Sequence, residues 1–159
     1  KSKLTAVCLG EVRLNKLENH QLKLLKIYEK VKAIIKEYKP DECAVECPFY
    51  GENVQSMLKL GRAQGVSMVA ALAMGLPVVE YYPKKVKMSV TGNGNASKEQ
   101  VAKMLQTLCK MDKLPKSMDA TDALAVAVCH HFNSGSGIDT GKKYNDWSSF
   151  VKDNKSRLK

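Results

Sequence analysis

Residues 42–48 read "ECAVECP", and how this short stretch is read decides the fold. A strand with one wet face alternates apolar and polar residues. This run is nearly continuous in apolar character and stops at Pro48, which suits a strand interior to a sheet. Upstream, Leu24, Leu25, Tyr28, Val31, Ile34, Ile35 and Tyr38 recur at helical period within residues 21–38. Lysines take the other face of that helix, and Pro40 follows as a stop. Downstream, a helix from about Glu52 to Ala73 leads to a second β-rich run, "PVVEYY" at 77–82, which Pro83 ends. Its second half, "AQGVSMVAALAMG", is rich in small residues and Met, so it permits close helix approach in the core or across a dimer.

The opening run "LTAVCLGEVRL", residues 4–14, predicts a further strand with an irregularity at Gly10. After residues 77–82 the sequence predicts a basic connector, then a loop at "TGNGN", residues 91–95. Ser97 and Gln100 have capping-box spacing and open a helix to about Met111. The last helix is expected to begin at Asp119 and end near Phe132, where "NSGSG" marks a flexible break. Strands alternating with helical crossovers predict an α/β fold whose sheet is at least partly parallel. Residues 1–133 are the expected domain, with 134–159 as a basic, flexible C-terminal tail.

At 159 residues the chain is long enough for one domain with a hydrophobic core. No apolar run reaches the roughly 18–20 residues of a membrane span, and no signal peptide is apparent. The net charge of +10 favours a polyanionic partner, nucleic acid above all. Lys84, Lys85, Lys87, Lys98 and Lys103 form one basic stretch, opposed locally only by Glu99, and residues 142–159 form another. Five cysteines, an odd number scattered through apolar segments, read as buried, reduced thiols of a cytoplasmic protein. Cys43 and Cys47 are four apart, but zinc would need a second close pair, which the sequence lacks.

Three carboxylates stand out. Asp119 and Asp122, spaced i, i+3, share one helix face. One reading is capping, with Asp119 as N-cap and Asp122 in the first turn; the other is a metal site, and spacing alone leaves both open. Glu46 ends the "CAVE" strand, and open α/β sheets bind ligands outside the carboxyl ends of their strands. Clustered carboxylates repel unless a cation neutralises them. Oxygen donors of this kind suit Mg²⁺. Two ions about 3.5–4 Å apart would activate water and stabilise the leaving oxygen of a phosphodiester. The residues alone leave open a metal-dependent nuclease, whether on branched DNA or on RNA, and a non-catalytic DNA-binding module.

The segments "AVECPFYGENVQSMLKLGRAQGV", "TGNGNASKEQVAKML" and "DATDALAVAVCHHF" closely resemble three segments of the RuvC family, in order and across residues 5–132. The wording is nearest to that of Bacteroidetes members. These are bacterial Holliday junction resolvases, and the resemblance implies an RNase H-like mixed sheet flanked by helices. It implies that Glu46, Asp119 and Asp122 are catalytic Mg²⁺ ligands, with two ions per site and Mn²⁺ as a substitute. Phe49 matches an aromatic residue that stacks on junction bases, and Lys87 and Lys98 match residues that contact scissile-region phosphates. A homodimer acting on four-way junction DNA, alongside the RuvA–RuvB branch-migration complex, is the implied assembly. The family's fourth carboxylate, an aspartate on its first strand before a Gly-rich turn, has no match. The sequence begins near the family's third strand, so the expectation is that a strand bearing this aspartate precedes Lys1 in the parent protein. Glu11, set in "LGEVRL", does not match that motif and takes no such role.

Overall fold

The structure, a computed structural model, describes residues 4–48, 53–115 and 117–134. Phe49 and the tail beyond Ser134 lie outside the described residues. The first helix, α1 (His20–Tyr38), starts where Asn19 Oδ1 accepts the Gln21 N–H at 2.8 Å. It ends at Lys39, whose left-handed φ of 46° turns the chain towards Pro40. Strand β1 (Cys43–Glu46) follows, then α2 (Val54–Leu72), opened by Asn53 Oδ1 accepting from Ser56 N–H at 3.0 Å. Strand β2 (Val78–Tyr81) runs parallel to β1, pairing Cys43 with Val78 and Glu46 with Tyr81. Three helices complete the described chain: α3 (Pro83–Thr91), α4 (Lys98–Leu108) and α5 (Met118–Ser134).

The pleat sorts side chains onto two faces. Cys43 and Val78 pack with Ile35, Ala71 and Leu76, so this face meets α1 and α2. Ala44 and Tyr81 pack against a larger core of Val86, Val90, Leu105, Leu124, Val128 and Cys129, supplied by α3, α4 and α5. Glu80, two residues after Val78, keeps to the α2 side and accepts from Gln64 Nε2 at 2.7 Å. Glu46, two residues after Ala44, is carried to the α5 side.

Four expectations need correcting. Residues 4–14 form no strand among the described residues. Leu4, Ala6 and Leu9 pack against the larger core, which accounts for the apolar character of the stretch. A strand, however, also needs a ladder partner, and composition does not supply one. The expected basic connector is instead α3: Pro83 presets the first-turn φ, and Val86 and Val90, spaced i, i+4, are buried beneath the lysines. Asp119 is not the N-cap of the last helix. That helix starts one residue earlier, and Ser117 Oγ accepts the Ala120 N–H at 3.5 Å, which leaves the Asp119 carboxylate uncommitted to capping. Burial of the cysteines is also uneven. Cys109 and Cys129 are buried, Cys43 and Cys47 half-buried, and Cys8 exposed; all five are free.

Gly92 ends α3 at φ 76°, and its N–H donates to Met88 O. A side chain in that left-handed region costs about 1–2 kcal/mol. Gly92→Ala is therefore expected to lower unfolding stability by about 1 kcal/mol, measured as a reduced urea midpoint at unchanged m-value.

Candidate active site

Helix α5 runs antiparallel to β1. Its N-terminal Asp122 lies near Glu46 at the end of the strand, and His130 lies near Glu42 before its start. This direction brings the acid-bearing end of α5 to the carboxyl end of β1. Lys98 is fixed by a reciprocal cap at the start of α4: Ser97 Oγ accepts from Gln100 N–H at 3.2 Å, and Gln100 Oε1 accepts from Ser97 N–H at 2.8 Å. From there its Nζ donates to Asp122 Oδ2 at 3.0 Å. The pair is well exposed to water, and such pairs contribute little to stability. Its significance is the charge it sets beside the acids.

Electrostatics join these residues into one neighbourhood. The Asp122 hydrogen bond, then its charge, hold the Lys98 ammonium above the ordinary lysine value, with weaker contributions from Glu46 and Asp119. Desolvation, followed by the charge of Asp122, pushes the Glu46 carboxyl up; Lys98 and Lys87 pull it the other way. The structure therefore brings together Glu46, Asp119, Asp122, Lys87 and Lys98, drawn from β1, α5, α3 and α4. Beside α4, Thr91, Asn93, Gln100 and Lys103 line an open groove of about 390 Å³.

These residues suit one kind of ion. Among the described residues no three His, Cys, Asp or Glu side chains are grouped closely enough to hold a metal by themselves. A closed cage does not fit. Mg²⁺ takes one or two carboxylates and fills the rest of its shell with water and substrate phosphate oxygens. Hard oxygen donors set close together, with the Lys98 ammonium hydrogen-bonded to Asp122, fit that mode. Sequence spacing gave no hint of two further contacts. Glu11 hydrogen-bonds Ser117, which holds its carboxyl below the ordinary value and ties the opening stretch to the start of α5. The contacts of His130 are the other.

The raised Glu46 value has a definite sign. Folding disfavours the Glu46 carboxylate, so its protonated form is the one the fold favours, and that contribution is lost as pH rises through the folded-state value. Glu46→Gln removes the cost of the charge. It is expected to raise the thermal midpoint at pH 7–8, with the gain vanishing near pH 3, where both states of the wild type carry the proton. A scanning calorimetry series across that range checks it.

The sequence profile of the RuvC family, described as crossover junction endodeoxyribonuclease RuvC, matches residues 1–130. The chain is 54% identical over 157 residues to the crossover junction endodeoxyribonuclease RuvC of Christiangramia forsetii, covering 99% of this chain and 81% of that protein. It is 52% identical over 158 residues to the Cytophaga hutchinsonii protein of the same name, covering 99% and 78%. The solved structure of Thermus thermophilus RuvC superposes with a TM-score of 0.73 at 32% identity, covering 79% of this chain and 76% of that one. T. thermophilus RuvC in complex with a Holliday junction substrate matches with the same TM-score over 77% of this chain and 74% of that one. No helix among the described residues is long and apolar enough to cross a membrane. On the match along nearly its whole length, the chain belongs to the RuvC family of crossover junction endodeoxyribonucleases.

Proposed function

We propose that this chain resolves Holliday junctions in DNA recombination and repair, hydrolysing one phosphodiester per strand at the site built on Glu46, Asp119 and Asp122. The observation that carries this reading is the meeting of Glu46 and Asp122 across β1 and α5, with Lys98 donating to Asp122 at 3.0 Å. RuvC family nucleases are metal-dependent, and the acids suit Mg²⁺, with two ions per site and Mn²⁺ as a substitute. Glu46, Asp119 and Asp122 would hold the metal, which supplies Lewis acidity at the phosphate and a more acidic attacking water.

The chain's own side chains do the positioning. Lys98 and Lys87 neutralise phosphate oxygens beside the acids, and Lys98 is held at the rim by the Ser97–Gln100 cap. The groove at Thr91, Asn93 and Lys103 offers further polar side chains beside α4, which suit a DNA backbone. Phe49, three residues beyond Glu46, is assigned to stacking on junction bases. The excess of ten positive charges supports tight, salt-sensitive binding.

Two copies of the chain would place two sites across one junction. Exposed Leu58, Leu60, Val69 and Leu72 on α2 offer apolar surface for that contact, while Ala70 and Ala71 are buried in the protein's own core. RuvA–RuvB branch migration supplies the partner machinery, and the free thiols suit a reducing cytoplasm.

The test presents the full-length parent protein, with any residues that precede Lys1, with four-way junction, fork, linear duplex and RNA–DNA hybrid in Mg²⁺. Paired nicks in the four-way junction alone are expected. Cutting of forks or hybrids at equal rate would assign a different branched or RNA substrate. Salt-sensitive junction binding with no cutting in Mg²⁺ or Mn²⁺ would make the chain a binding module.

A further inference from the structure

At the far end of α5 from the acids, three side chains from separate elements meet. The Tyr81 hydroxyl lies 2.9 Å from His130 Nδ1, and His130 Nε2 is hydrogen-bonded to the Glu42 carboxylate. The two rings meet edge to face, with centroids 5.7 Å apart. Only 14% of the His130 side chain is exposed. A neutral imidazole satisfies every member: the phenol donates to Nδ1, and the Nε2 proton goes to Glu42. Burial foremost pushes the Tyr81 phenol above its ordinary value, so it keeps the proton it donates.

Eleven residues separate Asp119 from His130. At about 100° and 1.5 Å per residue, they lie on nearly the same helix face, some 16 Å apart. Between them, on that same face, Val126 is buried in the core against which the small Ala44 of β1 packs. Apolar burial of this kind holds a helix against a sheet but is non-directional, so it sets poorly where along the strand the helix stops. Hydrogen bonds at fixed angles do set it.

We propose that Glu42, His130 and Tyr81 form a register clamp for the active site. His130 is a positioning residue that fixes α5 along β1 and so sets Asp119 and Asp122 against Glu46. The clamp rests on the reading that these three carboxylates carry the chemistry. Loosening it lets the acid end of α5 drift, and a displacement of about 1 Å can cost about 100-fold in rate.

The experiment compares wild type, His130→Ala, His130→Gln and Tyr81→Phe in single-turnover and steady-state cleavage of a four-way junction in Mg²⁺. Junction binding in EDTA and thermal midpoints are measured in parallel. His130→Ala is expected to lower kcat about 10- to 100-fold, with KM and junction binding within about twofold. His130→Gln, whose amide can accept from Tyr81 and donate to Glu42, is expected to recover most of that rate. The nitrogen NMR spectrum of the imidazoles gives a readout without activity. With three histidines in the chain, His130→Ala assigns the signals. The proton is expected on Nε2, and Tyr81→Phe is expected to move the Nδ1 resonance. Full turnover in His130→Ala overturns the proposal, as does a loss that Gln does not recover and that follows the thermal midpoint. Full-length wild type, with any residues that precede Lys1, that cuts no junction overturns the acid-site reading instead. A His130 spectrum indifferent to Tyr81→Phe then overturns the clamp on its own.

Discussion

Asp122→Asn is expected to leave four-way junction binding in EDTA within about threefold of wild type while cutting falls by about 10³-fold or more. Asparagine keeps the size of the side chain and an acceptor oxygen but removes the charge. The buried packing of α5 does not depend on that charge, because Ala120, Thr121, Leu124 and Ala125 form its inner face. What is lost is one anionic oxygen donor beside Glu46 and the charged partner of Lys98 Nζ at 3.0 Å. Metal-ion stabilisation of the transition state is worth several kcal/mol, and each 1.36 kcal/mol is tenfold in rate. On the proposed metal-binding role, the expected loss is that of a site that keeps its shape but loses an ion ligand. Binding survives because it rests on the summed basic charge around the site, and loss of the Asp122 charge also frees Lys98 to meet a phosphate. Asp119→Asn is expected to behave in the same way. Quantitative gel assays for binding and cleavage on one junction measure both quantities. Normal cutting by either variant would remove these aspartates from the site.

Leu105→Ala is expected to cost about 2–5 kcal/mol of unfolding free energy. Leu105 is fully buried, at 0% exposure, among Val86, Val101, Leu124 and Val128. Removing its branched end deletes transfer energy and leaves a cavity that three packed helices close only in part. Its sequence neighbour Met104 is 38% exposed. Met104→Ala is accordingly expected to cost under about 1 kcal/mol, and it separates core packing from helix propensity. Urea unfolding followed by far-ultraviolet dichroism gives both numbers. A Leu105→Ala midpoint equal to that of Met104→Ala would show that the core at α4 is not closed as described. The stability loss also bears on function, because α4 carries Lys98 at its first residue.

The helices with strong local signals were legible from the residues. The Ser97–Gln100 box opens α4 where its spacing predicts, and the periodic apolar positions of residues 21–38 become α1. Helix α3 was not legible, because three lysines in its first five residues mask the i, i+4 burial of Val86 and Val90. Residues 4–14 misled in the opposite sense: their apolar content records contact with the core, whereas a strand depends on a partner elsewhere in the chain. Asp119 misled as an N-cap because Ser117, two residues earlier, makes the capping contact. That contact is a local competition which composition does not decide.

The sequence by itself determined the α/β class, the parallel pairing implied by a crossover, the shared helix face of Asp119 and Asp122, and the family resemblance that the comparisons bear out. These follow from periods of two and 3.6 residues and from motif spacing, all of which are local. Only the tertiary structure decided that Glu46 faces α5 rather than α2, that Lys98 meets Asp122, and that His130 closes on Glu42. Those contacts span 24 residues for Lys98 and Asp122 and 88 for Glu42 and His130. Separations of that size are set by which faces bury against each other, and no local period encodes them.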